Sequence, residues 1–248
     1  MSRPTEEVAL VIGASRGIGK AIALAFAARG FAVGVVARRN GAPNFPGTVE
    51  ETLAEIRATG GTAEGFACDI ADSGDVNALV TQAHARFGRI DMLVNSAVQI
   101  VYANLLETTD EAWARAFDVN VAGAFYLTRA VAPVMVVQGG GRIVHLTGAG
   151  ARQTELVSVA TGASKAALER FVRGAAHELR AQNVAVNLFD PGAVKTERAV
   201  VLRGAGHDWT RHATPKQVAP AAVHLAMQPA EAMTGRIYSY LDHIGDVG

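Results

Sequence analysis

The stretch VALVIGASRGIG, residues Val8–Gly19, decides the fold. Its first five residues are apolar and stop at Gly13, which predicts a short buried strand. The residues after Gly17 show helical periodicity, and the turn between the two elements is rich in glycine. Glycine lets the backbone turn tightly and approach a phosphate, and a helix N-terminus offers unpaired N–H groups to an anion. A tight turn without any ligand would have the same composition. Whether this turn binds a phosphate is therefore judged from its position in the whole chain.

Short apolar runs and longer amphipathic segments alternate along the rest of the chain. Strands are predicted at residues 8–12, 31–37, 62–67, 91–95, 142–146, 184–189 and 236–241. Helices are predicted at residues 17–29, 48–58, about 73–87, 110–137, 156–181 and 215–227, with Pro133 as a kink or last-turn marker and Thr214 as a cap. This alternation implies right-handed crossovers and a parallel sheet covered on both faces. We therefore predict one doubly wound, Rossmann-type α/β domain over residues 1–248, with three αβα layers.

Composition excludes several classes of protein. The chain has 248 residues, half of them hydrophobic and 19% charged, which suits one large domain. Lys plus Arg equals Asp plus Glu, 23 each, so no global field attracts nucleic acid or an anionic membrane. Cys68 is the only cysteine and the seven histidines show no metal-ligand spacing, so we expect no intrachain disulfide and no metal. The polar start of the chain is unlike a signal peptide, and residues 119–137 are interrupted by Asn120, Arg129 and Pro133, so we expect a cytoplasmic protein without a membrane span.

Arginines mark the end of the second predicted strand. In dinucleotide-binding sheets an acid at this position favours a free ribose 2′-hydroxyl, whereas an arginine favours a 2′-phosphate. Arg38 and Arg39 stand there without an acid, and Arg16 lies inside the glycine turn. Converging guanidinium groups predict NADP(H) rather than NAD(H) as the cofactor. The alternative is that these arginines are solvated surface charges, with Arg39 pointing to water.

With these residues the chain resembles the short-chain dehydrogenase/reductase family, and the resemblance spans essentially the whole sequence. Three of the family's motifs recur after the glycine turn: an aspartate near the adenine, an Asn-Asn-Ala-Gly stretch, and a Pro-Gly pair followed by a threonine. They match Asp69, Asn95-Ser96-Ala97-Val98 with valine replacing the last glycine, and Pro191, Gly192 and Thr196. The resemblance implies a cofactor site made of Gly13, Ser15, Arg16, Gly17, Ile18, Gly19, Arg38, Arg39, Asp69, Ile70, Asn95, Ala97, Lys165, Pro191, Gly192, Val194 and Thr196.

The family's catalytic set is a serine, a tyrosine, a lysine and an asparagine. The resemblance assigns the last two to Lys165 and Asn120, but Thr161 stands at the tyrosine position and Gly148 at the serine position. A nearby ammonium can bring a phenol, with its pKa near 10, towards neutrality, whereas an aliphatic hydroxyl lies several units higher. Thr161 is therefore a poor proton donor, and losing a positioned acid typically costs about 10²–10⁴ in rate. The catalytic candidates are Asn120, Lys165, Thr161 and Thr147, the last as a substitute for the serine, although neighbouring strand residues point to opposite faces.

Four further side chains are weaker candidates. Tyr102, after the fourth predicted strand, is expected to be a half-buried packing residue. His145, inside the fifth predicted strand, is expected to pack in the core. His207 and His212 lie in a segment, about residues 196–214, that the family uses as a mobile substrate lid, and they are expected to face solvent.

Two functions remain open. The first is an NADP(H)-dependent oxidoreductase with a degenerate catalytic set, acting on a small or medium carbonyl or alcohol or on an activated C=C bond. The second is an inactive or non-redox dinucleotide-binding protein, such as a sensor, a scaffold or a partner subunit. The family commonly forms tetramers through two long helices and the last strand, so the resemblance implies a homo-oligomer, a tetramer or dimer, through residues 110–137, 156–181 and 236–241. The loop at residues 40–47 is similar to the hydroxysteroid-dehydrogenase-like branch of the family.

Overall fold

The computed structural model of the protein describes residues 6–39, 44–153, 158–204 and 206–246. In these residues seven strands form one sheet in the order β3-β2-β1-β4-β5-β6-β7, and every neighbouring pair is parallel. The strands are β1 Val8–Ile12, β2 Ala32–Ala37, β3 Ala63–Ala67, β4 Met92–Asn95, β5 Gly141–Leu146, β6 Val184–Asp190 and β7 Ile237–Ser239. The predicted doubly wound Rossmann-type sheet is confirmed, with its strand order reversing between β1 and β4.

Helices connect the strands and cover both faces of the sheet. They are α1 Gly17–Ala27, α2 Val49–Ala58, α3 Ser73–Phe87, α4 Asp110–Phe117, α5 Gly123–Val137, α6 Val159–Leu179, α7 Glu197–Arg203, α8 Pro215–Ala226 and α9 Tyr240–Asp246. Most begin at a side chain that caps the first turn, as the sequence predicted for Thr214, whose hydroxyl accepts a hydrogen bond from the backbone N–H of Gln217. Pro133 lies in the last turns of α5, one of the two placements expected for it.

The two faces of β1 separate the core into two layers. Ala9 and Val11 pack towards α1, α2 and α8, whereas Leu10 and Ile12 pack towards α3, α5 and α6. This alternation follows from the two-residue period of a strand, and both faces are buried because helices cover both. Residues Asp110–Val137 have the length and composition of a membrane span, but half of their most apolar window is buried inside the protein.

The long predicted helix at residues 110–137 is not uniform. A π-helical turn at Asp118–Ala122 separates α4 from α5, and the backbone N–H of Gly123 bonds to Asp118 O five residues earlier. Such a turn inserts one residue into the helical ladder and often marks a functional position. Here it contains Asn120, one of the catalytic candidates.

The predicted last strand at residues 236–241 was wrong beyond Ser239. The chain turns there into α9 because Ser239 Oγ accepts hydrogen bonds from the N–H groups of Leu241 and Asp242, while Asp242 Oδ2 accepts one from the N–H of Ser239. This reciprocal cap starts a helix, and the pattern Ser-x-x-Asp was readable in the sequence.

Three other predictions changed or lie partly outside the described residues. Helix α6 begins at Val159, capped by Ser158 Oγ, whereas the predicted start at residue 156 is not described. The loop at residues 40–47, which carried the similarity to the hydroxysteroid-dehydrogenase-like branch, is described only from residue 44. The predicted lid contains the short helix α7, which the sequence reading missed.

His145 packs in the core, as predicted. Its Nδ1 accepts a hydrogen bond from Asn95 Nδ2 at 3.2 Å, and its Nε2 lies 3.0 Å from Thr128 Oγ1. This arrangement suits the neutral ring with its proton on Nε2. Burial first, and the charge of Lys165 second, lower the pKa of His145 to about 3.

We expect this histidine to make the protein sensitive to acid. Because the folded-state pKa lies below the unfolded value, the unfolded chain binds more protons, and stability falls as pH drops below about 6.5 and towards 3. Urea unfolding at several pH values should show a steeper loss in the parent chain than in His145→Gln, by about 1.4 kcal/mol per pH unit. Equal slopes would contradict a neutral His145 in the folded state.

Candidate cofactor and active site

The glycine turn brings β1 and α1 into close contact. A Cβ built on Gly19 would lie 2.2 Å from Gly13 O, and one on Gly13 would lie 3.0 Å from the backbone nitrogen of Ala97. Gly13 and Gly17 also have positive φ angles, 77° and 57°, which disfavour other residues. The turn therefore requires its glycines for packing and for backbone conformation.

The first turn of α1 faces this bend without a side-chain cap. Its N-cap residue, Arg16, makes no side-chain hydrogen bond to the first turn, and that turn contains no acid. By contrast, the starts of α2, α3, α4, α6, α7 and α8 are capped by the side chains of Thr48, Asp72, Thr109, Ser158, Thr196 and Thr214. The N–H groups at the start of α1 are thus oriented for an external anion.

A cavity of about 320 Å³ lies at the carboxyl ends of β1 and β4, where the strand order reverses. Open α/β sheets bind ligands at this point. The predicted cofactor residues that line it are Gly13, Ser15, Arg16, Gly17, Ile18, Arg38, Asp69, Ile70, Ala97 and Thr196. An adjoining cavity of about 640 Å³ shares Ser15, Ala37 and Arg38 with the first and adds Arg39 and Arg57.

The other predicted cofactor residues are not among those that line the two cavities. Asn95 is buried, and its Oδ1 accepts a hydrogen bond from the N–H of Ala97 at 3.1 Å. Gly192, with φ +66°, donates its N–H to Asp190 Oδ1 at 3.0 Å, and Val194 forms a β-bridge with Ala213. The remaining members of this group are Gly19, Lys165 and Pro191.

Asp69 has a partner that the sequence did not reveal. Arg115, on α4, donates from Nη2 to Asp69 Oδ2 at 2.7 Å, and both side chains line the cavity. Partial burial raises the pKa of the Asp69 carboxyl, but hydrogen bonds from Arg115 and the N–H of Ala71 outweigh it, so the pKa is lowered. The two residues are 46 positions apart, so no local pattern in the sequence pairs them.

Lys165 is buried beside the end of β5. Its Nζ donates a hydrogen bond to Leu146 O at 2.7 Å. Burial lowers the pKa of this ammonium to about 8, although the charges of Asp190 and Glu169 oppose the change. A cation with a pKa in this range can hold and release a proton near neutral pH.

Asn120 holds the segment after β4 against α6. Its Nδ2 donates to Gln99 O and to Ser164 Oγ, both at 2.9 Å, and its Oδ1 accepts from the N–H of Gln99 at 2.9 Å. Every polar atom of the amide is therefore used in holding these elements together.

Thr161 binds the same segment further along. Its Oγ1 accepts a hydrogen bond from the N–H of Val101 at 2.9 Å, and Ser158 Oγ donates to Val101 O at 2.6 Å. The Thr161 side chain is buried, so its hydroxyl connects α6 to the loop after β4. Tyr102, next to Val101, is 66% exposed, so the expectation that it is half-buried was wrong.

The other hydroxyl candidate, Thr147, is directed towards α6. Its Oγ1 donates to Glu169 Oε1 at 2.9 Å. Gly148 is extended, with φ −179°, and among the described residues no atom beyond its two chain neighbours lies within 4 Å of the position that a Cβ on it would take. The two neighbours thus differ in surroundings, as the alternation of strand side chains requires.

Arg152 holds the loop after β5 with two buried carboxylates. Its Nη1 hydrogen-bonds Glu169 Oε1, and its Nη2 donates to Asp190 Oδ2 at 2.6 Å. Glu169 and Asp190 come from α6 and the end of β6, so the arginine links three elements beside Lys165. The sequence reading missed this group, although Glu169 lies one helical turn after Lys165 and so on the same face.

The predicted lid is joined at its two ends. Val194 pairs with Ala213, and the N–H of Lys195 donates to Ala213 O at 2.8 Å. Both predicted lid histidines lie in a cluster of rings around Trp209, with His207 at 4.5 Å and His212 at 5.0 Å between centroids. In the described part of the chain, no group of three or more His, Cys, Asp or Glu side chains has a metal-binding arrangement.

Comparisons with known proteins agree with this geometry. A family model described as short chain dehydrogenase matches residues 7–205. The chain is 34% identical to a 3-oxoacyl-[acyl-carrier-protein] reductase of Synechocystis sp., over 96% of this chain and 97% of that one. It is 34% identical to a D-threitol dehydrogenase of Mycolicibacterium smegmatis, over 92% and 89% of the two chains. An actinorhodin polyketide ketoreductase variant solved with NADPH superposes with a TM-score of 0.85 at 30% identity, covering 96% of this chain and 97% of that one.

The protein belongs to the short-chain dehydrogenase/reductase family of oxidoreductases. Its sheet, its glycine turn and the cavity at the strand reversal follow that architecture over almost the whole chain.

The surroundings of positions 148 and 161 predict different responses to substitution. Gly148→Ser places its side chain where no described residue other than its chain neighbours comes within 4 Å, so the free energy of unfolding should change by less than about 0.5 kcal/mol. Thr161→Val removes the hydroxyl that accepts a hydrogen bond from the N–H of Val101, so it should lower the free energy of unfolding by about 1–2 kcal/mol. Urea denaturation measures both, with the exposed Thr81→Val as a control. Equal losses at 148 and 161 would contradict the bond to Val101.

Proposed function

We propose that the protein is an NADP(H)-dependent oxidoreductase in which Lys165, rather than a tyrosine, handles the proton. Its substrate is a small or medium carbonyl compound or alcohol, or a molecule with an activated C=C bond. One observation carries the proposal: Lys165 Nζ lies buried at the end of β5, while the hydroxyls of Thr161 and Thr147 are bound to Val101 and Glu169. Of the catalytic candidates, the lysine alone combines a transferable proton with a suitable pKa.

The adenosine end of the cavity favours NADP(H). Arg38 lines both cavities, and Arg39 and Arg57 line the second one, so a 2′-phosphate there would meet several guanidinium groups. The uncapped first turn of α1 suits the pyrophosphate. Structurally similar proteins support the choice, since they include a ketoreductase solved with NADPH and a 3-oxoacyl reductase from Agrobacterium tumefaciens solved with NADP.

The chemistry divides between cofactor and protein. The nicotinamide, when bound, supplies or accepts the hydride. Lys165 holds a proton on Nζ and passes it to the substrate, directly or through water. Asn120 keeps the segment after β4 in place through Gln99, and Arg152 keeps the loop after β5 in place through Glu169 and Asp190. Reduction of an activated C=C bond makes the smallest demand on this site, because hydride addition leaves a delocalised enolate that water can protonate, whereas carbonyl reduction leaves a more basic alkoxide.

The surface of the long helices supports a homo-oligomer, a tetramer or dimer, which we propose as well. Phe125, on α5, is 40% exposed, and its ring centroid lies 6.1 Å from that of Phe171 on α6. The guanidinium carbon of Arg129 lies over the Phe125 ring, 4.8 Å from its centroid. Exposed aromatic and arginine side chains are enriched at protein interfaces. We also propose a cytoplasmic location, because Cys68 is the only cysteine and no disulfide can form within the chain.

Cofactor preference tests the first half of this proposal. NADPH and NADH are titrated by fluorescence against the parent chain and Arg38→Ala. The variant should bind NADPH about 10- to 100-fold more weakly, because it loses a charge-assisted contact, and NADH almost unchanged. Arg29→Ala, at the far end of α1, is the control. Equal weakening for both nucleotides would show that Arg38 does not select the 2′-phosphate.

The pH dependence of turnover tests the role of Lys165. With enoyl and carbonyl substrates, kcat for reduction should fall as pH rises through about 8, because the ammonium then loses the proton that it must donate. Lys165→Arg should remove this alkaline limb, since its guanidinium keeps its proton, and should lower kcat by about 10²-fold or more. Thr161→Val is the control and should keep the limb. Tight NADPH binding without turnover on a broad panel would instead favour a non-catalytic dinucleotide-binding protein.

A further inference from the structure

The first residues of the lid lie directly on the glycine turn. A Cβ built on Gly17 would lie 3.5 Å from Thr196 Cγ2 and 3.6 Å from Glu197 Oε2. Glu197 and Arg198 also line the cavity at the strand reversal. A carboxylate therefore lies beside the turn whose backbone suits an anion.

The environment of this carboxylate is unusual. Glu197 Oε2 is buried and has no hydrogen-bond partner among the residues that the structure describes. A buried carboxylate oxygen without a partner is costly, and such an atom calls for an explanation. The charge of Glu197 acts on the guanidinium of Arg16 and partly offsets the effect of burial on that group. The carboxylate is thus in the electrostatic position of an anionic ligand, without the hydrogen bonds that a ligand would form.

A second contact fastens the lid across the cavity. The guanidinium of Arg198 lies 5.7 Å from the centroid of the Phe45 ring, and Arg16 Nη2 donates to Gly47 O at 2.7 Å. The segment after β2 and the segment after β6 therefore meet at the cavity, which both Phe45 and Arg198 line.

We propose that Glu197 is a gating residue that competes with the pyrophosphate of the dinucleotide for the start of α1. The inference rests on the proposed function, since it takes the ligand to be a dinucleotide. Two negative groups cannot share this small volume without strong repulsion, so the carboxylate has to swing out when the pyrophosphate enters. Binding of the cofactor is then coupled to movement of the lid. When the Glu197 carboxylate returns to the start of α1, it favours release of the cofactor.

Neutralising Glu197 tests the gate. Glu197→Gln keeps the size of the side chain but removes the charge, so it should lower the Kd for NADPH by about 5- to 20-fold at low salt. NADH should gain by a similar factor, because both nucleotides carry the pyrophosphate. The gain should shrink at about 0.5 M salt, where charges are screened over a few ångströms. Nucleotide fluorescence without substrate gives these constants independently of turnover, and Glu197→Ala should give the same sign.

Asp208→Asn is the matched control. It removes one negative charge from the same lid, but its carboxylate is exposed and bound to the N–H and hydroxyl of Thr210 at 2.9 and 2.7 Å. Equal gains for Glu197→Gln and Asp208→Asn would mean that only net charge matters, and would overturn the proposal. Weaker binding by Glu197→Gln would make Glu197 a cofactor ligand and overturn it as well. If neither nucleotide binds the parent chain or the variants, the proposed function itself fails, which is a distinguishable result.

Discussion

The close approach of Gly13 and Gly19 is the constraint on which the rest of the site depends. A Cβ on Gly19 would collide with Gly13 O at 2.2 Å, so α1 can start directly against the end of β1 only because position 19 is glycine. That placement aims the uncapped first turn of α1 at the gap between β1 and β4, where the strand order reverses. The cavity, the arginines around it and the first residues of the lid are all arranged about this turn.

On the opposite side of the site, hydrogen bonds to backbone decide what the side chains can do. Asn120, Ser158 and Thr161 hold the segment after β4 through Gln99 and Val101. The Thr161 hydroxyl accepts from the N–H of Val101 and donates to Val101 O at 3.4 Å, so the backbone engages both its oxygen and its proton. The function that we propose therefore assigns the proton chemistry to Lys165, whose buried ammonium has a lowered pKa.

Local patterns predicted much of the fold because they depend on neighbours in the chain. Short apolar runs located the first six strands, and Thr214 followed by proline located α8. The prediction was wrong at the last strand, where the cap between Ser239 and Asp242 outweighed the β-branched and aromatic pattern before it. The cofactor turn was predictable for the same local reason, and its lining residues follow from where parallel strands end.

The sequence by itself determined the alternating α/β order, the glycine turn, the arginines after β2, and the threonine and glycine at positions 161 and 148. Only the tertiary structure decided what those side chains contact. Arg115 meets Asp69, Arg152 joins Glu169 to Asp190, and Glu197 lies against Gly17. These partners are between 17 and 180 positions apart, and charged side chains at such separations carry no local pattern. They meet because a parallel sheet brings the ends of all its strands to one edge.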